Sequence, residues 1–426
     1  MKTAYINGII LDGTENMVPA EGKVIIVEDG IIASVSDASD TDLSGCETVD
    51  LKEQYILPGL INLHVHLAGS GKPSKKQINL PLLTKIMTGC ALGRAIGKSM
   101  VAANAKNTLM AGITTVRAVG GIGNLDTCVR DDINRGKRTG PRILTSDCAI
   151  SVPGGHMAGS FAYIAQSADD AAALVDRIAK GKPDLIKLMI TGGVLDADEE
   201  GPGALRMSAE YVRAACGRAH ELGYTVAAHC EGKTGIRVAL ENGVDTIEHG
   251  AEPDEDILRL FREKNACQVV TLSPAVPYSL ALPGVMNVTE ESINNSNIVM
   301  QGMIDLAKDN LKAGVPVGLG MDSSCSYATH YDMWREMKNF VKYCGVSNSF
   351  ALHTATMVNA EIAGVGDITG TVEEGKSADM IVVENNPLDD LSTLRNVKTV
   401  IFKGRRYDSP EVKKIEEVET VLDSVC

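Results

Sequence analysis

Residues 57–66 read Leu57-Pro58-Gly59-Leu60-Ile61-Asn62-Leu63-His64-Val65-His66. The apolar run after the Pro-Gly break predicts a buried β-strand that ends in two histidines. Side chains at positions i and i+2 of a strand point to the same side, so both imidazoles can reach one metal ion. Two histidines on a strand are also common without a metal, so the pair indicates a metal site only in combination with other residues of the chain.

The middle of the chain contains further short apolar runs of this kind, separated by stretches with the pattern of amphipathic helices. The clearest helix is predicted over Ser208 to Leu222, with Ser208 as N-cap and Gly223 as its stop. Eight such units over about 300 residues predict an α/β fold with a (β/α)8 TIM-type barrel. An open doubly wound sheet is the alternative, but no GxGxxG follows the first strand. The predicted strands are 61–63, 113–116, 142–144, 185–188, 225–228, 245–247, 268–271 and 317–320.

Both ends of the chain have the pattern of short β-strands. The dipeptides Asn7-Gly8, Asp12-Gly13 and Asp29-Gly30 are hairpin signals between apolar runs near the start. Residues 370–372, 380–383 and 400–402 predict further strands near the end. We therefore expect residues 1–56 and 365–426 to form one composite β-sandwich domain, with residues 57–364 as the barrel.

Composition and charge exclude several classes of partner. The 426 residues carry a formal net charge of −14, which disfavours nucleic acid and anionic membranes. The sequence shows no signal peptide and no apolar stretch of membrane-spanning length. Its ten cysteines are scattered without a CxxC pair, which favours reduced thiols and a cytoplasmic location. A charged stretch from Glu411 to Glu419 predicts a solvated terminal helix or a frayed tail.

Four further residues with metal-binding or acid–base chemistry fall on the predicted barrel strands. His229 ends the fifth strand, His249 the sixth and Asp322 the eighth, and Lys187 lies within the fourth. The carboxyl ends of barrel strands meet on one face, where catalytic sites lie. Each residue alone has a structural explanation, such as a hydrogen-bonded core histidine or a capping aspartate. Their coincidence on one rim, together with His64 and His66, predicts a metal site.

The chain resembles the amidohydrolase superfamily, in particular its prolidase-like and imidazolonepropionase-like metal-dependent hydrolases. The resemblance covers nearly the whole chain and is far more specific for the superfamily than for a substrate. Its matching segments are 57–66, 112–117, 140–142, 153–156, 186–187, 191–193, 228–229, 248–250, 320–322 and 375–380.

The resemblance implies a binuclear metal centre. In the family the strand-four lysine is carboxylated and bridges two divalent metal ions. By that analogy His64, His66 and Asp322 bind one ion, His229 and His249 bind the other, and carboxylated Lys187 bridges them. These ligands suit zinc best, with manganese, iron or cobalt as alternatives.

The reaction implied is hydrolysis of an amide-type C–N bond in a small molecule of the dipeptide or N-acyl amino acid class. A metal-bridged hydroxide would attack the carbonyl carbon, and Asp322 would act as catalytic general acid/base. The alternatives are deamination of an aminated heterocycle, or hydrolysis of a carbamate, urea or cyclic amide. A catalytically silent scaffold is the alternative from another class, although such proteins typically lose ligands.

Three residues are candidates for substrate binding. The resemblance implies that His156 contacts the substrate; a loop histidine without a ligand is the alternative. Related dipeptidases often carry tyrosine where this chain has Glu231. The acidic side chain of Glu231 disfavours binding of a substrate's α-carboxylate beside it. Glu231 could pair with an amine-bearing part of the substrate or form a structural salt bridge. His330 follows the eighth strand and could reach the pocket, or it could begin a surface helix.

Two loops on the predicted catalytic face, residues 69–76 and 196–203, are either lids or solvated connectors. Because relatives are often oligomers, a homo-oligomer is expected by analogy alone.

Overall fold

The computed structural model describes residues 2–73, 79–194, 201–280 and 290–425, and has the predicted α/β fold. Its strands are β1 (Lys2–Ile10), β2 (Ala20–Glu28), β3 (Ile31–Asp37), β4 (Glu47–Asp50), β5 (Tyr55–Pro58), β6 (Leu60–Val65), β7 (Ile113–Ala118), β8 (Arg142–Thr145), β9 (Ala149–Ser151), β10 (Ala162–Ile164), β11 (Leu185–Met189), β12 (Thr225–Cys230), β13 (Thr246–His249), β14 (Cys267–Val270), β15 (Val317–Leu319), β16 (Met380–Val383), β17 (Thr399–Phe402) and β18 (Arg405–Asp408). Its helices are α1 (Leu80–Gly89), α2 (Ala91–Met110), α3 (Leu125–Asn134), α4 (Ala168–Ala179), α5 (Ala209–Glu221), α6 (Lys233–Glu241), α7 (Glu255–Lys264), α8 (Leu272–Ser279), α9 (Glu290–Lys312), α10 (Met333–Asn339), α11 (Asn348–His353), α12 (Asn359–Ile362) and α13 (Glu416–Leu422).

The eight strands predicted for the middle of the chain are all present and run parallel. They lie in a three-stranded sheet, β6-β7-β8, and a seven-stranded sheet, β10-β9-β11-β12-β13-β14-β15. β8 and β9 follow each other closely along the chain and connect the two sheets on one side. On the other side Val65 and Ser323 form a parallel bridge, and His66 N donates to Ser323 O at 3.0 Å. The first and last predicted strands therefore lie next to each other.

The ends of the chain share one eight-stranded sheet, here called the terminal sheet. Its order is β18-β17-β16-β5-β1-β2-β3, with β4 also paired to β1. β16, from the late part of the chain, pairs antiparallel with β5, from the early part. The composite origin of this sheet is as predicted, whereas the sandwich form and the domain limits at 56 and 365 stay predictions.

Two local predictions for the terminal regions are wrong. Asn7-Gly8 is not a hairpin turn: β1 continues through it, with Asn7 at a φ of 54° and a register shift against β2. The asparagine–glycine pair supplies the left-handed backbone of a bulge instead of a turn. Asp12-Gly13 lies in the loop of residues 11–19 that joins the paired strands β1 and β2, although it is not a two-residue turn, and Asp29-Gly30 is the hairpin turn between β2 and β3. Residues 370–372 form a bend and irregular backbone and not a strand.

The helix predicted over Ser208 to Leu222 is observed as α5. Ser208 is its N-cap residue but makes no side-chain capping hydrogen bond, and Gly223 follows the helix with a φ of 82°. The charged C-terminal stretch also forms a helix, α13. It is packed against the protein, since Val418 is fully buried against Tyr327 and Glu419 is only 7% exposed. The expected terminal helix is therefore present, with Glu416 and Glu417 exposed, whereas a frayed tail is not observed in the described residues up to 425.

Three other expectations concern membrane-spanning helices, cysteines and the two loops of the predicted catalytic face. No helix in the described ranges combines the length and apolarity needed to cross a bilayer. The nine described cysteines are all free thiols. Of the two predicted loops on the catalytic face, residues 74–76 and 196–200 lie outside the described part of the chain.

Candidate metal centre

The six candidate metal-binding residues converge on one pocket. His64 lies in β6 with His66 just beyond it, Lys187 lies in β11, His229 in β12 and His249 in β13, and Asp322 follows β15. All six line a pocket of about 850 Å³, counting its open mouth. Lys187 is only 1% exposed and His229 and His249 are each 4% exposed. Parallel pairing explains the convergence, because it places the ends of β11, β12 and β13 side by side.

His64, His66 and Asp322 form one group of potential ligands. Oδ1 of Asp322 lies 3.4 Å from Nε2 of His64 and 3.2 Å from Nε2 of His66. The two imidazole centroids are 5.3 Å apart, on the same side of the strand as the spacing predicts. Ligand atoms of His64, His249 and Asp322 all lie within 4.8 Å of one another, so they could hold one ion.

The remaining imidazoles continue the cluster. The ring of His249 lies 4.8 Å from that of His64 and 4.6 Å from that of His229, measured between centroids. Ligand atoms of His229, Glu231 and His249 form a second group within 4.8 Å of one another. His249 belongs to both groups and therefore lies between them.

Each histidine has one ring nitrogen in contact with the protein, and Nε2 of both His64 and His66 faces Asp322 in the pocket. Nδ1 of His64 donates to Glu248 Oε2 at 2.8 Å, and Nδ1 of His66 donates to Gly120 O at 2.8 Å. Nδ1 of His249 lies 2.7 Å from Thr271 Oγ1, and Nε2 of His229 lies 3.3 Å from Gly192 O. Such contacts fix the ring orientation and the tautomer, which is how metal-binding histidines are usually prepared.

The protonation of these rings also suits ligation. Burial lowers the pKa of His64 to about 4 and holds the pKa values of His229 and His249 well below the ordinary histidine value. Burial would also lower the pKa of His66, but the carboxylate of Asp322 outweighs it and raises that pKa. Neutral imidazoles offer a lone pair to a metal ion, as the first three do here.

Lys187 tests whether the site fits a metal centre. Its Nζ is buried and has no hydrogen-bond partner within the described ranges. Burial lowers the pKa of Lys187 to about 8 against the opposing effect of Glu248. A buried amine without a partner is costly unless a modification or a ligand satisfies it. Lys187 and the two donor groups therefore fit the divalent ions that the resemblance implies.

Glu248 and Arg117 belong to the site although the sequence analysis did not single them out. Glu248 is fully buried; its Oε1 accepts hydrogen bonds from Arg117 Nη2 at 2.7 Å and from Thr246 Oγ1 at 3.0 Å. Burial opposes ionisation of Glu248, but Arg117 and Lys187 outweigh it and lower its pKa well below the usual range. Arg117 is held in turn by Leu63 O, at 2.9 Å from its Nε. The three residues form a chain, Arg117–Glu248–His64.

Backbone strain and close approach concentrate at the same place. His249 has a φ of 68° and Asp322 a φ of 49°, in the left-handed region that costs a non-glycine residue free energy. Gly320 lies against His64, because a Cβ on Gly320 would clash with the His64 side chain and lie 2.8 Å from its backbone nitrogen. A Cβ on Gly193 would lie 2.8 Å from the ring of His156.

The three predicted substrate-binding residues are placed differently. His156 lines the pocket, and its ring stacks on that of His229 with centroids 4.4 Å apart. Glu231 also lines the pocket, and its backbone nitrogen donates to Thr191 Oγ1 at 3.0 Å. His330 is absent from the described pocket lining and is buried instead of starting a surface helix. Its Nε2 donates to Gly69 O at 2.7 Å, which ties the loop after β6 to the region after β15.

The sequence was compared with known families and structures. The amidohydrolase family profile matches residues 55–407, and these include all six candidate ligands. The chain belongs to the amidohydrolase family. This amidohydrolase is therefore an enzyme that hydrolyses carbon–nitrogen bonds, as predicted.

Individual relatives of this amidohydrolase align over nearly its full length. A Bifidobacterium longum structure, provisionally named a prolidase, is 33% identical with a TM-score of 0.87, covering 100% of this chain and 98% of its own. A Xaa-Pro dipeptidase structure with methionine bound in its active site is 28% identical with a TM-score of 0.83, covering 96% and 100%. Ochratoxinase of Aspergillus niger is 26% identical over 94% of this chain and 85% of its own.

Proposed function

We propose that this amidohydrolase is a metal-dependent hydrolase that cleaves the amide bond of a dipeptide or an N-acyl amino acid. The observation that carries the proposal is the convergence of His64, His66, Lys187, His229, His249 and Asp322 on one buried pocket. We propose further that β15 and β6 close the parallel strands into a (β/α)8 barrel with this pocket at its mouth. The adjacency of Val65 and Ser323 supports that closure.

The proposed centre holds two divalent ions, with zinc the best match to imidazole and carboxylate donors. His64, His66 and Asp322 would hold one ion, His229 and His249 the other, and Lys187, carboxylated on Nζ, would be a ligand of both. When bound, the ions would supply Lewis acidity and lower the pKa of a water molecule towards ~7. Asp322 would accept a proton from water and donate it to the leaving nitrogen. His156, stacked on His229, contacts the substrate beside the scissile carbonyl.

The lining of the pocket supports an apolar substrate group. Away from the ligands about half of the lining residues have aliphatic or thioether side chains, among them Met157, Met189, Val194, Val299 and Met303. Methionine side chains adapt to irregular apolar shapes. We expect a substrate whose side chain or acyl group is apolar. The names of the prolidase-like structures favour the dipeptide class.

A substrate screen tests the proposal. Zinc-loaded protein is incubated with dipeptides and N-acyl amino acids that differ in side-chain polarity, and release of free amino acid is measured. We expect hydrolysis of members with apolar groups and its loss in Lys187→Ala. Lys264→Ala, which removes an exposed lysine on α7, is the matched control and should retain activity.

Two outcomes would overturn the assignment. Release of ammonia from aminated heterocycles, with no cleavage in the screen, would identify a deaminase. Cleavage confined to carbamates, ureas or cyclic amides would move the activity elsewhere in the superfamily. A homo-oligomeric state, a cytoplasmic location and a contact between His330 and the substrate stay predictions.

A further inference from the structure

Glu231 lies beside the histidines His229 and His249 in the pocket. It follows β12 and comes two residues after His229, so the spacing of a strand directs both side chains to one side. Its backbone nitrogen donates to Thr191 Oγ1 at 3.0 Å, which fixes the start of this loop against the segment after β11. The carboxylate therefore reaches the pocket from an anchored backbone, and Glu231 is one of the pocket-lining residues.

The distances around Glu231 are those of a donor set. Ligand atoms of His229, Glu231 and His249 all lie within 4.8 Å of one another. Neighbouring donors of a tetrahedral zinc ion, each at about 2.0–2.2 Å from it, lie roughly 3.3–3.6 Å apart. Shifts of up to roughly an ångström would therefore bring all three atoms onto one ion. The ligand atoms of His64, His249 and Asp322 also lie within 4.8 Å of one another.

The chemistry of this set differs from the arrangement that the resemblance implies. There, the ion between His229 and His249 takes two imidazoles and the bridging lysine. A carboxylate gives this ion a third donor of its own, and two histidines with one glutamate form a familiar zinc set. The added negative charge also offsets one positive charge of the ion pair. An anionic side chain facing the pocket costs less free energy when a cation lies beside it.

We propose that Glu231 is a direct ligand of the metal ion held by His229 and His249, so that each ion of the centre has a carboxylate from this chain. Asp322 serves one ion and Glu231 the other. The inference rests on the proposed binuclear centre. It assigns Glu231 to metal binding and not to recognition of a substrate amine.

The test measures metal binding instead of turnover. Apoprotein prepared with a chelator is titrated with zinc against a chromophoric competitor, and cobalt(II) absorption spectra report the coordination of each ion. Wild type, Glu231→Gln and Glu231→Asp are compared. Glu252→Gln is the matched control, because Glu252 is exposed on the loop after β13. Thermal melting of each apoprotein establishes that the variants fold.

We expect wild type to bind roughly two equivalents. Loss of a partner behind a metal ligand already costs roughly 10–100-fold in affinity, so Glu231→Gln should weaken one equivalent at least tenfold. The other equivalent should bind as before, and the cobalt spectrum of the weakened site should change. Glu231→Asp, which keeps the carboxylate, should recover part of the affinity, and Glu252→Gln should match wild type.

The remaining outcomes separate this inference from the proposed function. Two equivalents bound by Glu231→Gln with wild-type affinity and spectrum would overturn the inference. A wild-type protein that binds no metal overturns both proposals. A wild-type protein that binds two ions through Glu231 yet cleaves no amide in the screen overturns the proposed function alone.

Discussion

Oε2 of Glu248 lies 2.8 Å from Nδ1 of His64, although the two residues are 184 positions apart in the sequence. Arg117 holds the other oxygen of the same carboxylate at 2.7 Å. This contact leaves Nε2 of His64 directed towards Asp322. Glu248 thus orients a metal-binding imidazole without reaching the pocket itself.

Replacing Glu248 by glutamine should weaken metal binding roughly 10–100-fold, because the amide supports the His64 tautomer less well and leaves the buried Arg117 without its anionic partner. Competitive zinc titration measures the change. The exposed substitution Glu252→Gln should leave the affinity unchanged. Equal affinities for Glu248→Gln and wild type would show that His64 needs no such support.

Lys187 should take up carbon dioxide. Its buried Nζ has a pKa lowered to about 8, so near neutral pH a sizeable fraction is the free amine that attacks carbon dioxide to give a carbamate and a proton. Native mass spectrometry in bicarbonate and zinc should find one added carbon dioxide per chain, lost in Lys187→Ala and kept in Lys264→Ala. Retention of the adduct by Lys187→Ala would place it on another amine.

Gly320→Ala should destabilise the protein and its metal site together. The new Cβ would press on His64 and separate β15 from β6, at a cost of roughly 1–3 kcal/mol or more in the free energy of unfolding. Urea unfolding and zinc content report the two effects. Gly217→Ala is the control: it lies on the exposed face of α5 with open space around it, and should stabilise the helix by roughly 0.5–1 kcal/mol. A Gly320→Ala protein with wild-type stability would rule out the contact.

Asp126 should make the stability of the apoprotein depend on pH. It is buried in α3, and neither carboxylate oxygen has a hydrogen-bond partner among the described residues. Burial, with Asp147 beside it, raises its pKa from 3.8 to about 7. The folded state therefore holds the proton longer than the unfolded state, so this group's contribution to stability is lost as pH rises from about 4 to 7.

The shift of about three pKa units bounds the effect at about 4 kcal/mol. Asp126→Asn cannot ionise, so its stability relative to wild type should increase over this pH range in urea unfolding. Asp169→Asn, exposed at the start of α4, should run parallel to wild type. If the free energy of unfolding of Asp126→Asn also changed with pH in parallel with wild type, Asp126 would not be the source of the pH dependence.

The sequence predicts the parallel strands and the convergence of six residues because both follow from periodicity. His64 and His66 share a side through the two-residue repeat of a strand, and Lys187, His229 and Asp322 lie at or near the ends of parallel strands. Those rules require no knowledge of which strands are neighbours. The side chains behind the pocket do require it, since Arg117 and Glu248 meet only when β7 and β13 are brought together.

Strand alternation itself hides Glu248. Neighbours on a regular strand point to opposite sides, so an inward His249 predicts an outward Glu248. Both residues nevertheless contact His64, and the left-handed backbone of His249 is where the alternation ends. The prediction of a turn at Asn7-Gly8 failed for a similar reason. The same dipeptide can form either a turn or a bulge, and its pairing with the neighbouring strand determines which one forms. The packing of α13 depended on buried partners distant in sequence.

One residue, Gly59, separates β5 of the terminal sheet from β6, and a side chain there would collide with Thr114 of β7. The junction therefore leaves no room for independent movement, and a shift of β5 is transmitted directly to β6, which carries His64. In a randomly mutagenised library selected for altered turnover, beneficial changes should appear in the terminal sheet around Leu57 as well as near the substrate. Libraries that are mutated only at residues lining the pocket would not contain these changes in the terminal sheet.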